Sequence, residues 1–107
     1  MNRDGYADPT AEKAISLVMR SQKRMELVDT IAFMMSPYYK ERFKGEYYQL
    51  KIRYAKLTKM VNNWDNLSFE PTCSKETYVT QLEAMRMYID ILELRAKTEG
   101  IELNGNL

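Results

Sequence analysis

The chain has 107 residues, 45% of them hydrophobic and 29% charged, with a net charge of +1. That length allows one domain, and the composition is ordinary for a globular protein. Four glycines and three prolines are few, which favours long helices over a turn-rich β-sandwich. The chain has no histidine, the commonest general base and metal ligand, and its single cysteine, Cys73, cannot form an intramolecular disulfide. These features predict a small all-α binding or assembly protein that is not an enzyme and needs no cofactor.

Neither a secretory signal nor a membrane-spanning segment is predicted. The first 30 residues carry charges throughout and lack an apolar core, and the apolar run from Ile31 to Met35 is much shorter than the roughly 18 residues that span a bilayer. We therefore expect a cytoplasmic protein without membrane contact.

Residues 1–36 are predicted to form a polar tail followed by a helix. Asp8 can cap free backbone N–H groups, and Pro9 suits the first helical position. Residues at helical spacing follow, namely Ile15, Val18, Met19, Gln22 and Met25. We expect this helix to reach the low thirties and to end before Ser36 and Pro37.

The second predicted helix covers about residues 37–64. Its apolar positions alternate in spacings of four and three, as in the a and d positions of a coiled coil, and they are Phe43, Tyr47, Leu50, Tyr54, Leu57, Val61 and Trp64. Ser36 is the expected cap and Pro37 the first residue. Gly45 is a weak point in the helix, costing roughly 1 kcal/mol against alanine.

A loop over residues 65–74 separates this helix from a third, predicted over about 75–99. Ser74 is the expected N-terminal cap, and Gly100 is a typical stop. The heptad positions of this helix are Tyr78, Leu82, Met85, Ile89, Leu92 and Ala96. Two heptad helices joined by a short loop predict an antiparallel hairpin over residues 37–107, within one domain.

Charged residues at the flanking heptad positions predict the register of this hairpin. In an antiparallel pair the g positions face each other, which sets Glu46 against Arg95 and Arg53 against Tyr88. Lys51 and Glu93 face each other on the other flank. Opposite charges thus meet, although each exposed pair contributes only about 0–1 kcal/mol.

The third helix is apolar on more faces than a hairpin can bury. Besides its heptad positions it carries Ala84, Met87, Tyr88, Ile91 and Leu94. A helix that is apolar around most of its circumference is buried on more than one face. The N-terminal helix can cover one side, and the remainder predicts a homo-oligomer.

Positive charge is concentrated on the second helix, which carries seven basic residues against Glu41 and Glu46. Part of this charge complements the acidic third helix. The basic residues are also interleaved with tyrosines, and aromatic rings stack on bases while Arg and Lys hold phosphates. A net charge of only +1 favours a small nucleotide over a long nucleic acid. No glycine-rich phosphate loop or nucleophile motif is present, and Glu83, Asp90 and Glu93 are interpreted as a solvated face.

The stretch from Arg42 to Leu103 resembles a family of small phage helical-hairpin proteins. The resemblance is carried by the basic stretch ERFKGEYYQLKIRYAKLTKMVNNW, the loop LSFEPTCS, and the pattern Q-L-x-x-M-x-x-Y-x-x-x-L-x-x-R. That pattern is met by Gln81, Leu82, Met85, Tyr88, Leu92 and Arg95. The start DPTAEKAI is similar to the opening of small phage regulatory proteins of Gram-positive hosts, and it adds a helix that the hairpin family does not require.

The hairpin group includes the anti-CBASS and anti-Thoeris sponges. The resemblance implies an oligomer that sequesters a cyclic nucleotide or a cyclic ADP-ribose-type defence signal in the cytoplasm of the infected bacterial host, without cleaving it. The expected ligand contacts are Arg53, Tyr54, Lys56, Tyr88 and Arg95, with the cations on phosphate and the tyrosines stacked on bases. Tyr54 is better explained as a core residue at an a position, and Arg95 has an alternative explanation as the partner of Glu46.

Two alternatives to sequestration remain open on the sequence. The chain could be a small phage regulator or inhibitor that binds a host protein or nucleic acid, in which case DNA binding would depend steeply on salt. It could also be an assembly module that oligomerises and binds nothing else.

Overall fold

The computed structural model describes residues 24–103, and all the regular secondary structure within that range is helical. It contains three α-helices and two short 3-10 turns: α1 (Ile31–Met34), α2 (Tyr39–Asn62), α3 (Lys75–Glu99), and the turns Leu27–Thr30 and Trp64–Asn66. Tyr39 at the start of α2 bonds Glu99 at the end of α3, while Trp64 and Tyr78 meet at the loop. The two long helices therefore form an antiparallel hairpin, and the all-α prediction is confirmed for the described residues.

The ends of α3 are those predicted, because both caps have strong local signals. The hydroxyl of Ser74 accepts a hydrogen bond from the Thr77 amide at 3.3 Å, which satisfies a free donor of the first turn. At the other end Gly100 adopts a left-handed conformation, with φ of 71°, and its amide bonds the Ala96 carbonyl. A residue with a side chain would be strained there.

The start of α2 lies two residues later than predicted. Pro37 remains outside the helix, and the extended residue Tyr38 is its N-cap. The hydroxyl of Ser36 still caps the chain, but it accepts from the amide of Tyr38 at 3.1 Å instead of from the first helical turn. The helix also ends earlier, at Asn62, because residues 64–66 tighten into a 3-10 turn.

The predicted N-terminal helix is only partly within the described residues. Its portion up to residue 23 lies outside them, and residues 24–26 are not helical. A reciprocal pair of hydrogen bonds between Glu26 and Asp29 then starts a 3-10 turn, which leads into the single turn of α1. The expectation of one continuous helix into the low thirties is therefore wrong for residues 24–26, because the Glu26–Asp29 capping box begins a new helical segment there.

The hydrophobic core lies mainly at the end of the hairpin away from the loop. Ile89 and Leu92 of α3 have no exposed surface. The remaining members of the buried cluster are Phe43, Tyr47, Tyr48, Leu50, Ala96 and Ile101. Towards the loop the predicted heptad residues Tyr54, Leu57 and Met85 are only half-buried. The heptad pattern therefore identifies the contact face correctly, but burial along it is uneven.

The segment before α2 packs on the back of α2. Phe33 meets Tyr48 edge to face with ring centroids 5.3 Å apart. The fully buried Thr30 accepts a hydrogen bond from the side chain of Gln49 at 3.0 Å. Gly45 lies where the two segments come closest, since a Cβ on it would stand 2.8 Å from the sulfur of Met34 and 3.2 Å from its backbone nitrogen. Gly45 is thus a contact point between two segments as well as a weak position in the helix.

We expect Gly45→Val to destabilise the protein by about 1–3 kcal/mol, because the added methyl groups overlap backbone that cannot move freely. The matched control is Ala55→Val on the exposed side of α2, which tests the effect of valine in this helix without the close contact. Urea unfolding gives the stability, and hydrogen exchange at residues 27–34 reports whether α1 has separated from α2. Equal losses of stability in the two variants would contradict a close contact between Gly45 and Met34.

Candidate functional site

One edge of the hairpin carries most of the predicted ligand contacts. Tyr39, Glu46 and Arg53 occupy successive g positions of α2, and they face Tyr88 and Arg95 at the g positions of α3. We call these five residues the g edge. Two side-chain contacts join the helices along it, between Tyr39 and Arg95 and between Glu46 and Tyr88. The predicted facing of the g positions is therefore present, although the individual partners differ.

The end of the g edge away from the loop is a closed network around Arg95. Its guanidinium donates to the hydroxyl of Tyr39 at 2.8 Å and to Glu99 at 3.3 Å, and it lies 4.9 Å from the ring centre of Phe43. Tyr39 in turn donates to Glu99 at 2.8 Å. The hydrogen bond from Tyr39, assisted by Arg95, holds the pKa of Glu99 below its usual range. Arg95 therefore pairs with Glu99 of its own helix and not with Glu46 as predicted.

The middle of the g edge is more open. Tyr88 is 43% exposed, and its hydroxyl donates to the carboxylate of Glu46. Arg53 lies seven residues beyond Glu46 on α2, about 10 Å along the helix axis. Lys56 follows three residues later, on a neighbouring part of the helix surface. Both cations are exposed.

These cations differ from Lys44, at the start of α2, in their electrostatic surroundings. Lys44 forms an ion pair with Glu41 at 3.2 Å, and Glu46 is the last acidic residue before the helix ends. The side chains of Arg53 and Lys56 form no ion pair or hydrogen bond with another residue of the described range 24–103. The second half of α2 therefore presents positive charge that the described carboxylates do not neutralise.

Tyr54 lies between the core and the opposite edge of the hairpin. It is half-buried, and the guanidinium of Arg86 stands 5.9 Å from its ring centre. Arg86 is held by Asp90 at 2.6 Å and by Glu93 at 3.8 Å. The hydrogen bond to Asp90 is the main reason why the pKa of Arg86 is raised. One side of Tyr54 is therefore already occupied by a cation of the protein itself.

Tyr39 and Arg86 take part in these networks and were not among the predicted contacts. Tyr39 has a recognisable signal, because it lies one heptad before Glu46 and therefore on the same edge of the helix. Arg86 has none, because it lies at an e position on the other flank and only the structure shows that it reaches Tyr54.

Tyr47 links the hydrophobic core to the network that Arg86 forms with Asp90 and Glu93. Its hydroxyl donates to Glu93 at 2.6 Å, while the ring is buried in the hydrophobic cluster. Burial, together with the neighbouring Glu93 carboxylate, raises the pKa of Tyr47 far above that of a free phenol. The neutral hydroxyl is therefore the form that the fold stabilises.

We expect Tyr47→Phe to lower the free energy of unfolding by about 1–2 kcal/mol, because a hydrogen bond to a charged group is lost from a buried site. Folding raises the pKa of Tyr47, so its contribution is complete below about pH 10 and declines as pH rises further. The difference between wild type and Y47F should therefore shrink in alkali. Urea unfolding at pH 7 and at pH 11 tests both points, with the exposed Tyr38→Phe as control. If Y47F and Y38F have the same free energy of unfolding at pH 7, the hydrogen bond from Tyr47 to Glu93 does not stabilise the fold.

The described residues contain no cluster of three or more side chains suited to a metal ion. Within residues 24–103 there is also no helix that is both long enough and apolar enough to cross a bilayer. The arrangement consists of exposed cations and tyrosines along one edge of the hairpin, and this chemistry suits an anionic aromatic ligand.

Comparison with known proteins adds one finding. The searches of curated proteins and of solved structures returned no match. The Sequestin family model matches residues 37–98, which are more than half of the chain and contain α2, all of α3 but its last residue, and all five predicted contact residues. A sequestering, non-catalytic role is consistent with that match, and no enzyme family is indicated. The chain belongs to the Sequestin family.

Proposed function

We propose that this protein sequesters a small nucleotide signal of bacterial defence, a cyclic nucleotide or a cyclic ADP-ribose-type molecule, in the cytoplasm of a phage-infected host. The observation that carries the proposal is the pair of exposed cations Arg53 and Lys56, which have no carboxylate partner in the described range. A phosphate placed there gains charge-assisted hydrogen bonds and displaces no internal ion pair. The Sequestin match supports binding and storage as the purpose of such a site.

The predicted contacts take different roles in this proposal. Arg53 and Lys56 hold phosphate, and the exposed ring of Tyr88 stacks on a base, which is favourable for any purine or pyrimidine. Arg95 and Tyr54 border the site, because each already has partners within the protein. A bound phosphate near Arg95 would compete with Glu99 for its guanidinium.

The chemistry of the chain supports binding without conversion. It has no histidine to act as a general base near neutral pH, and Cys73 is exposed on the loop, away from the g edge. A protein that only binds must be present in amounts comparable to its ligand, and it acts by lowering the free concentration of the signal.

A thermal-shift screen against cyclic di- and trinucleotides and cyclic ADP-ribose isomers tests the proposal. A ligand present at 100 times its Kd stabilises the folded state by about 2.7 kcal/mol, which raises Tm measurably. The ligand recovered after heating the complex should be chemically intact. A converted ligand would exclude sequestration. The absence of any shift, together with DNA binding that weakens steeply with salt, would favour a nucleic-acid-binding regulator.

A further inference from the structure

Side chains of both long helices lie around the carboxylate of Glu99, at the end of the hairpin away from the loop. Tyr39 donates to one carboxylate oxygen at 2.8 Å, and Nε of Arg95 donates to the other at 3.3 Å. The ammonium group of Lys40 is held nearby by the carbonyl of Gly100 at 3.3 Å. The Tyr39 hydrogen bond and the neighbouring positive charges hold the pKa of Glu99 below its usual range, so these surroundings favour an anion. We call Tyr39, Lys40, Arg95 and Glu99 the Arg95 cluster.

The contact between Arg95 and Glu99 can be exchanged for a contact with another anion. Its length of 3.3 Å exceeds the ~2.8 Å of a strong hydrogen bond between a guanidinium and a carboxylate. The two residues lie one turn apart on α3, and exposed ion pairs of this kind contribute little to stability. The side chain of Arg95 is 44% exposed and that of Glu99 33% exposed. A small anion can therefore reach the guanidinium from solvent.

The donors of the Arg95 cluster are positioned by contacts that do not involve Glu99. Arg95 donates to the hydroxyl of Tyr39 at 2.8 Å, and its guanidinium lies 4.9 Å from the ring centre of the buried Phe43. Lys40 is held by a backbone carbonyl. Because of these contacts, a guanidinium, a phenol hydroxyl and an ammonium group remain close together when the Glu99 carboxylate turns away.

We propose that the Arg95 cluster is a second anion site, which takes a phosphate group in place of the Glu99 carboxylate. A phosphate group carries up to two charges and three strong acceptor oxygens, so it can bond the guanidinium, the hydroxyl and the ammonium group together. The ring of Tyr39 is 48% exposed and offers a surface for a base attached to that phosphate. The site is distinct from the cations proposed above, because Tyr39 precedes Arg53 by fourteen residues, about 21 Å along the helix axis.

Glu99 makes such a site selective, because it acts as an internal competitor. A carboxylate on the same chain is always present at a high effective concentration. An anion displaces it only by forming more or stronger hydrogen bonds to the cluster than Glu99 forms. Chloride and simple carboxylates offer less charge or fewer acceptor oxygens than phosphate does. Glu99 therefore closes the site to them and yields it to a phosphate group.

A titration with inorganic pyrophosphate tests this site, with the Nε–Hε signal of Arg95 in proton–nitrogen NMR as the readout. Glu99→Gln keeps an acceptor for Tyr39 but removes the competing charge. It should therefore bind pyrophosphate at Arg95 about tenfold more tightly than wild type. The matched control is Glu41→Gln, which removes a carboxylate held by Lys44 at 3.2 Å in the first turn of α2, and it should bind like wild type. Circular dichroism and urea unfolding verify that both variants are folded.

A purely structural role for Glu99 predicts a different result, in which E99Q loses stability and leaves the affinity at Arg95 unchanged. That result, or an equal gain of affinity in E41Q, overturns the second site. E99Q/Y39F should bind more weakly than E99Q, and equal binding of the two would overturn the role of the hydroxyl and with it the site. The signal that R95K removes is that of Arg95. The signal of Arg53 reports the other proposed site in the same titration, so a response at Arg53 alone overturns the second site and leaves the proposed function standing.

Discussion

The double substitution Arg53→Ala and Lys56→Ala is expected to weaken ligand binding by about 100-fold or more. Each cation can form charge-assisted hydrogen bonds to phosphate, and each such bond contributes about 1.5–3 kcal/mol. That corresponds to roughly 10–100-fold in Kd for each residue. Because both side chains are exposed and bond no other described residue, their removal should change the free energy of unfolding by less than about 0.5 kcal/mol.

Calorimetric titration with the ligand found in the screen measures this effect. The matched control is K44A/K75A, which removes the same charge from the same two-helix hairpin but at sites away from the g edge. Lys44 is already paired with Glu41, and Lys75 lies at the start of α3 beside the loop. An equal loss in both double variants would mean that only overall charge attracts the ligand. Unchanged binding in R53A/K56A would place the site elsewhere.

The bounds of α3 could be predicted because its signals are local. A serine cap, a continuous heptad pattern and a left-handed glycine each act within one or two turns, and the structure has all three at the expected residues. The start of α2 was less predictable. Pro37 could occupy either the first helical position or the preceding turn, and hydrogen bonding of Ser36 to Tyr38 selects the turn.

Side-chain pairing across the hairpin was predicted less well than the facing of the helices. Heptad positions place Glu46, Tyr88 and Arg95 correctly on one edge. Heptad positions do not determine which neighbouring residue a long side chain contacts. Arg95 has Glu99 one turn away on its own helix, an i, i+4 arrangement that needs no tertiary contact, and Tyr39 completes the network. Glu46 instead accepts a hydrogen bond from Tyr88.

The packing of the N-terminal segment had almost no sequence signal. Helical spacing placed Met25 in an N-terminal helix; the structure has Met25 outside any helix but packed against the core. The sequence could not show that the backbone of Met34 approaches α2 at Gly45. A glycine in a helix can mark a close contact or merely a weak position, and the sequence does not distinguish the two. The same limit applies to Arg86, whose reach to Tyr54 depends on the rotamer that Asp90 and Glu93 stabilise.

Leu92→Ala should destabilise the protein by about 2–5 kcal/mol, the largest effect on stability expected here. Leu92 has no exposed surface and belongs to the cluster that joins α2 to α3, so its truncation leaves a cavity between two long helices that cannot easily close. The control is Val79→Ala, a 38% exposed position on the same helix, where the loss should stay below about 1 kcal/mol. Urea unfolding of both variants, fitted with the same m-value, measures the difference. Since the g edge depends on contacts between α2 and α3, ligand should rescue the Tm of L92A in proportion to its affinity. A small loss, comparable to that of V79A, would mean that the hairpin is held together elsewhere than at the Ile89–Leu92 layer.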